Sequence, residues 1–486
     1  MTHLYNKADL DLIEENIPDI VKQHKKLKFK NLTVDINEYE RNMSLVKKFV
    51  RDKQLIVYGG YAQDQLLKSK GKPGIYDKYS GADIEFYSPN YVKDIVELAK
   101  LFHEKKWGGY LGIRVSEAIH IGTLTLRVNN FQYVDCTFVP KHIYNNLPYI
   151  KKFGMKFIHP LVKTIDFYRV FTDPLLSYFR LTEKSDFSRF KKNLEAWKLD
   201  DLIKINKTLP NIKLLDQKIS KQIRDIIVKR SSSSIVIGSY ATEYFKHHTN
   251  EKAVLKIPFY EVLSSNYIQD VHYFRDELEK IRSKNNFIST KEYYPLFQYT
   301  NRRIEFYLEE KSGKKDRVLI LYKVKDICLP YYNLPQKKLD IGTFQLTLLF
   351  AFINYLQYSH IFKDDTLHKY YSYVIYILIS ARNEYLKLKK KSVLDNTPFK
   401  EFTFDCKGKA VDFPRKSTIE RTNHYNRKGG KGAFIWSYKP DTDGDPNYNV
   451  NVQPLQNDSG LPIKKESSLT LNQKVDPEKM HYIYDE

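Results

Sequence analysis

Three cysteines serve 486 residues: Cys136, Cys328 and Cys406. Their number is odd and they lie far apart. Neither a disulfide framework nor a thiolate metal site is indicated, and a reducing interior is expected. Glycine is scarce as well, at 19, against 38 tyrosines. Long apolar runs are missing too. The two most apolar stretches, within 344–356 and 373–381, fall short of the roughly 18 residues needed to span a bilayer. Polar residues lie within or beside both. The first residues, MTHLYNKADLDLIEENI, hold no apolar signal core. A soluble intracellular protein with no membrane partner is expected.

What the chain does have is positive charge. Eighty Lys and Arg against 58 Asp and Glu give a net +22. Such a field favours polyanions, nucleic acid above all. Plain solubility of a lysine-rich chain is the competing explanation. At this length two or three domains are expected, and 42% hydrophobic residues suffice to build their cores.

The stretch 55–87 organises the rest. The run Leu55-Ile56-Val57-Tyr58 reads as a buried strand, stopped by Gly59-Gly60 and followed by a helix over 61–67. A glycine turn at a helix start cradles phosphate, because its backbone N–H groups are free and nothing blocks close approach. After a basic loop over 68–74 comes Gly-Ala-Asp-Ile-Glu-Phe-Tyr, in which alternation puts Asp83 and Glu85 on one face and Ile84 and Phe86 on the other. Paired acids on a strand suit a divalent cation held through oxygen.

Downstream, 92–105 has helical spacing. An alternating run over 122–128 meets Asn129-Asn130, a two-residue hairpin turn, and returns over 131–138. Val134, Cys136 and Phe138 share the apolar face, which leaves Asp135 as a third carboxylate on the other. A helix over 9–24 should be kinked or split by Pro18, and 37–50 is a second helix. Residues 160–207 read as helical with a basic face that includes Arg180 and Lys184. That face is a candidate for nucleotide or RNA phosphates, although solvated basic helix faces are common.

A repeat with a period near 180 residues follows. Ile235-Val-Ile-Gly-Ser-Tyr-Ala matches Ile56-Val-Tyr-Gly-Gly-Tyr-Ala, and Pro258-Phe-Tyr-Glu matches Ala82-Asp-Ile-Glu. Phe259 stands for Asp83, while Glu261 matches Glu85. Val318 to Val324 matches the third strand, with Tyr322 in the place of Asp135 and Asn333-Leu-Pro335 echoing Asn146-Leu-Pro148. A cation site needs its carboxylates together, so the second copy should be catalytically dead. Residues 341–390 read as helical. From Thr418 the chain turns polar and is expected to be mobile or draped on the surface, with 434–436 pinned down.

Gly-Gly, a spacer, Asp-x-Glu in a strand and a later strand Asp resemble the signature of the polymerase-β-like nucleotidyltransferase superfamily. Here these are Gly59-Gly60, Asp83-Ile84-Glu85 and Asp135, with a spacer longer than usual. With its degenerate second copy, the chain over about 40–390 is similar to the poly(A) polymerase catalytic subunits of large nucleocytoplasmic DNA viruses, the mimivirus and megavirus kind. The resemblance implies an α+β fold of two tandem nucleotidyltransferase-like domains, with mixed sheets flanked by helices, further helical segments and a polar C-terminal tail. The expected limits are a helical arm over 1–45, a catalytic domain over 46–195 and a helical linker over 196–230. A degenerate domain over 231–340, C-terminal helices over 341–395 and a tail over 396–486 follow.

The resemblance also implies template-free addition of adenylates from ATP to RNA 3′ ends, with two Mg²⁺ or Mn²⁺ ions. Asp83, Glu85 and Asp135 would be both catalytic and metal-binding. Gly59, Gly60, Arg180 and Lys184 would bind the nucleotide. A processivity device is implied, through self-association or a viral partner subunit, with a place in the host cytoplasm or the virion. A CCA-adding or other terminal nucleotidyltransferase would share this chemistry. A non-catalytic RNA scaffold of two spent domains is the reading from another class.

Overall fold

A computed structural model describes residues 5–31, 35–118, 120, 122–182, 184–248, 256–324, 327–408, 419, 422–423, 436–444 and 458–463. Most of the polar tail, including 434 and 435, lies outside the described residues. Contacts divide the chain into two units. The first takes 1–138, 149–158 and 417–453; the second takes 139–148, 159–416 and 454–486.

The first unit opens with α1 (Lys7–Asn31) and α2 (Ile36–Asp52). Helix α1 is one helix through Pro18, so the expected split does not occur. The Asp35 carboxylate caps α2 by accepting from Glu38 N at 2.7 Å. Then come β1 (Ile56–Tyr58), α3 (Gly59–Ser69), β2 (Ile84–Ser88), α4 (Tyr91–Glu104), β3 (Ile113–Glu117), β4 (Thr123–Val128) and β5 (Phe131–Phe138). Both Asn129 and Asn130 adopt positive φ, 50° and 61°, so β4 and β5 form the tight hairpin that their sequence announces. In the second unit α5 (Lys141–Tyr144) follows, and the chain returns to the first as β6 (Tyr149–Lys152) and β7 (Met155–Ile158). One face of the sheet buries Ile84, Phe86, Leu124, Leu126, Val134 and Cys136, together with Ile95, Leu98, Ala99 and Phe102 of α4.

The second unit carries α6 (Pro160–Thr172), α7 (Pro174–Thr182), α8 (Lys184–Ala196), α9 (Leu199–Leu202) and α10 (Gln217–Val228). Its sheet follows with β8 (Ser234–Ile237), α11 (Gly238–His247), β9 (Tyr260–Ser264), α12 (Tyr267–Ile281), β10 (Asn286–Tyr293), β11 (Arg303–Glu310), β12 (Lys315–Lys323), β13 (Leu329–Leu334) and β14 (Leu339–Gly342). The apolar stretch expected as one helical region is two helices, α13 (Phe344–Leu356) and α14 (Asp365–Leu388). They are parted where the Asp364 side chain starts a new helix by accepting from Leu367 N at 2.9 Å. Helix α13 is buried on every side, which explains its run of apolar residues. Strand β15 (Cys406–Lys407) joins this sheet, and β16 (Ser437–Tyr438) pairs with β3 of the first. Trp436 and Tyr438 are buried there.

The duplication read in the sequence is complete at the level of topology. The first sheet runs β16-β3-β4-β5-β2-β1-β7-β6 and the second β10-β11-β12-β9-β8-β14-β13-β15. Setting β3 against β10 and β6 against β13, every neighbouring pair agrees in being parallel or antiparallel. Even a side-chain detail repeats. Ser88 Oγ donates to Asp94 in the first unit and Ser264 Oγ to Asp270 in the second, each at 2.5 Å. One echo fails: Asn146-Leu-Pro148 precedes β6, whereas Asn333-Leu334 closes β13.

Two cysteines are closer than their spacing announces. Cys328 and Cys406, 78 residues apart in sequence, form a disulfide with Cα atoms 5.4 Å apart. The expectation of no disulfide is corrected here, because β15 pairs beside β13 and sets Cys406 opposite Pro330. Cys136 is free and buried. Among the described residues no helix is long and apolar enough to cross a membrane.

Candidate active site

Strand β1 delivers the backbone to Gly59, which turns with φ +69° into α3. A Cβ there would stand 1.6 Å from Glu85 Oε2, so the position accepts only glycine. Gly60 N donates to the same Oε2 at 2.7 Å. The amide expected to await a phosphate is thus engaged by the protein's own carboxylate. The Tyr76 hydroxyl lies against Gly60, close enough that a Cβ on Gly60 would meet it at 2.1 Å. Its loop is folded back by Asp64, whose Oδ1 accepts from Ile75 N at 2.7 Å and Tyr76 N at 3.0 Å. Lys68, expected in a basic loop, ends on α3 and pairs with Asp64 at 2.7 Å.

The three acids come from adjacent strands. Glu85 is the register partner of Tyr58 on β1 and of Asp135 on β5. Asp83 precedes β2 by one residue, and Gln132 Nε2 donates to its Oδ2 at 2.7 Å. Thr125, opposite Asp135 on β4, donates to Asp135 Oδ1 at 2.6 Å. Burial pushes the Asp135 carboxyl up to about 6, and the nearby Asp83 charge adds to this; the Thr125 bond, Arg127 and Gln132 act against it.

Gln132 and Thr125 were not foreseen. Alternation from Asp135 would send Gln132 to the opposite face. The register shifts at this hairpin: Leu126 pairs with Val134 but Arg127 with Gln132, so one extra residue on β5 brings Gln132 round to the acids. Arg180 and Lys184 belong to the second unit. Arg180 Nη1 is paired with Asp186 Oδ2 at 3.0 Å, and Lys184 opens α8.

The donor set suits a hard divalent cation. It is made of carboxylate oxygens on one sheet face, where burial first and the neighbouring Asp83 charge second raise the proton affinity of Asp135. Among the described residues no three acids converge into a ready metal cage, since Glu85 is turned to Gly60 N. Asp83 and Asp135 would hold a cation together with Glu85 once Glu85 turns from Gly60 N.

In the second unit the same place is filled. Gly238 has φ +65°, and a Cβ there would stand 2.0 Å from Glu261 Oε2, repeating Gly59 and Glu85. Phe259 stands where Asp83 stands. The register partner of Glu261 on β12 is Ile320, so Ile320 and not Tyr322 replaces Asp135. Tyr322 lies two residues on, on the same face. Tyr371, Asn354 and Tyr322 all donate to Glu261 Oε1, at 3.0, 3.1 and 3.2 Å. Burial pushes Glu261 up to about 7. Beside it Glu305, wholly buried, is paired with Arg317 at 2.9 Å and Arg303 at 3.3 Å. One acid held by two tyrosines and an asparagine, and another taken by two arginines, cannot gather cations.

Comparison with known proteins agrees in both halves. A family model for the poly(A) polymerase catalytic subunit matches residues 44–177. A second, for the C-terminal part of the APMV poly(A) polymerase catalytic subunit, matches 198–473. A protein of Acanthamoeba polyphaga mimivirus named as a poly(A) polymerase catalytic subunit is 28% identical, over 94% of this chain and 83% of its own. One of African swine fever virus with the same name is 34% identical over 33% of each chain. The crystal structure of the Megavirus polyadenylate synthase superposes with a TM-score of 0.83 and 26% identity, covering 96% of this chain and 93% of that one.

Proposed function

The chain belongs to the viral family of poly(A) polymerase catalytic subunits, and from that premise we propose that it adds adenylates from ATP to RNA 3′ ends without a template. The RNA 3′-oxygen attacks the α-phosphorus of ATP. The bond from that phosphorus to the β-bridging oxygen breaks, and pyrophosphate leaves. The 3′-hydroxyl proton passes to the Asp135 carboxylate, whose raised proton affinity suits a base working near neutral pH. Divalent cations are general in this family; two of them, Mg²⁺ or Mn²⁺, held by Asp83, Glu85 and Asp135, would lower the pKa of the hydroxyl and offset the charge of the leaving pyrophosphate. Gly60 N becomes available to the triphosphate when Glu85 turns from it.

One observation carries this reading. The acids stand on one face in the first unit, with Glu85 and Asp135 in register, and two of the three are replaced by Phe259 and Ile320 in the second. Chemistry kept once and fold kept twice makes the second unit a scaffold. The direct test is extension of a short RNA with each of the four nucleoside triphosphates, beside the Asp83→Ala variant. Extension by ATP alone, lost in the variant, is the expected result. Equal use of CTP points instead to a CCA-adding or related activity. A variant as active as the parent removes the proposed site.

For processivity we favour self-association over a separate subunit. Helix α1 leaves Leu10, Ile13, Ile17 and Ile20 exposed, at steps of three and four residues that suit pairing with another helix. Sedimentation of the parent and of an Ile13→Asp variant tests this: the parent should run as a dimer and the variant as a monomer.

A further inference from the structure

A row of cations leads across the first sheet, away from Asp83. Gln132, which donates to Asp83, is the register partner of Arg127 on β4, and Arg127 is the register partner of Arg114 on β3. Directly opposed residues of antiparallel strands project from the same face. Arg127 Nη2 lies 3.4 Å from Gln132 Oε1, which fixes that face as the one bearing the acids. At the sheet edge Lys439 follows Tyr438, the partner of Val115, and so borders Arg114. Strands lie about 4.8 Å apart, so the row from β5 to β16 spans roughly 15 Å.

Arg114 and Lys439 are exposed and Arg127 is half-buried. Among the described residues neither guanidinium has a carboxylate within ion-pair distance. Like charges set directly opposite each other destabilise a sheet, so Arg114 facing Arg127 is a cost that a polyanion would offset. The loop entering β3 adds aromatic surface. It reads Lys105-Lys106-Trp107-Gly-Gly-Tyr110, with Lys105 Nζ 5.3 Å and the Arg41 guanidinium 4.5 Å from the Trp107 ring centre. Tyr110 is 94% exposed, the extreme for large apolar side chains among the described residues. The loop is fastened to the β4–β5 turn, for Asn129 N donates to Gly112 O at 2.8 Å. It therefore stands at the end of the sheet where Arg114, Arg127 and Gln132 lie.

Resting on the polyadenylation reading, we infer that the RNA strand leaves the active site across this face. Its 3′ end lies at Asp135, its phosphates pass over Arg127, Arg114 and Lys439, and a base upstream stacks on Tyr110. Phosphate contacts position a strand without reading its sequence, and stacking on tyrosine tolerates any base. Both suit an enzyme that must accept whatever RNA it is given and then its own product.

The test uses the full chain, an oligo(A) RNA and Arg114→Ala. Loss of one phosphate contact should raise the KM for RNA about tenfold and make the salt dependence of RNA binding shallower by about one counterion. The KM for ATP and kcat at saturating RNA should stay within about twofold. Arg114→Lys should restore the salt slope. Tyr110→Ala should weaken RNA binding about tenfold with the slope unchanged, since stacking releases no counterion. An Arg114→Ala variant with the parent's RNA KM and salt slope overturns the track, while a parent that still extends RNA leaves the polyadenylation reading intact. A parent that extends no RNA sinks that reading instead, and the binding slopes then judge the track without chemistry.

Discussion

Glu261 and Tyr322 make a hydrogen bond of 3.2 Å in the second unit, where the first unit brings Glu85 beside Asp135. The exchange is not residue for residue. Ile320 occupies the Asp135 register position, and the tyrosine hydroxyl arrives from two residues further along β12. In place of a meeting of like charges stands a carboxyl with one oxygen, Oε1, held by three neutral donors. The like-charge cost disappears and the desolvation of one buried carboxyl remains.

That remaining cost is measurable. The Glu261 carboxyl holds its proton up to about pH 7 in the folded chain, against 4.5 when free, because it is buried. A raised folded value favours folding in acid, and the advantage is lost as pH rises from 4.5 through 7. Glu261→Gln keeps the accepting oxygen and removes the charge. It should stabilise the protein by roughly 2–3 kcal/mol at pH 8 and leave it unchanged at pH 4. Urea melts at the two pH values check this, and primer extension should be unaffected.

Asp135→Asn gives the same sign in the first unit with the opposite consequence for activity. Its carboxyl sits at about 6 instead of 3.8, so burying the ionised form weakens folding at neutral pH. In EDTA the variant should be more stable than the parent by about 2 kcal/mol at pH 8, with the gain gone below pH 4. Adding Mg²⁺ should raise the parent's melting temperature and leave the variant's where it was, since bound cations stabilise only the state that holds them. Extension should fall by more than about a hundredfold.

Gly59 and Gly238 form a matched pair. Each has positive φ and each would drive a Cβ into a glutamate oxygen, at 1.6 and 2.0 Å. Gly59→Ala and Gly238→Ala should each cost about 2 kcal/mol or more of stability from backbone strain and displacement. Only Gly59→Ala should also abolish extension, because Glu85 is moved with it. Activity per folded molecule at a temperature where both variants are folded separates the two.

The site was legible where it follows strand alternation, and obscured where it does not. Asp83, Glu85 and Asp135 could be placed on one face because apolar neighbours alternate with them. Gln132 could not, because a one-residue bulge at Leu126/Arg127 reverses its facing. The duplicate sheet was visible in Gly238 and Glu261, whose geometry demands those residue types. It faded at β12, where a buried strand of Val318 to Tyr322 carries no alternation to fix its register. Gly60 was read as free for phosphate because a helix start leaves its amides unpaired. A carboxylate from a strand 25 residues away takes that bond, and no local pattern records it.

The disulfide is the feature sequence spacing concealed most fully, since pairing cannot be read from three scattered cysteines. Cys328 and Cys406 close a loop of 78 residues, and the freedom this removes from the unfolded chain corresponds to about 4 kcal/mol. Other contacts hold the same segment in place beside the bond. Strand β15 pairs with β13, and Lys407 makes an ion pair with Asp340 at 2.5 Å. Reduction should therefore lower stability without changing the folded state. In non-reducing buffer Cys406→Ser should unfold at a lower urea concentration than the parent, with the difference equivalent to about 4 kcal/mol. In buffer reducing enough to open the bond, parent and variant should unfold together. A parent that melts identically in both buffers, with both thiols free to alkylation, would show that the bond does not form.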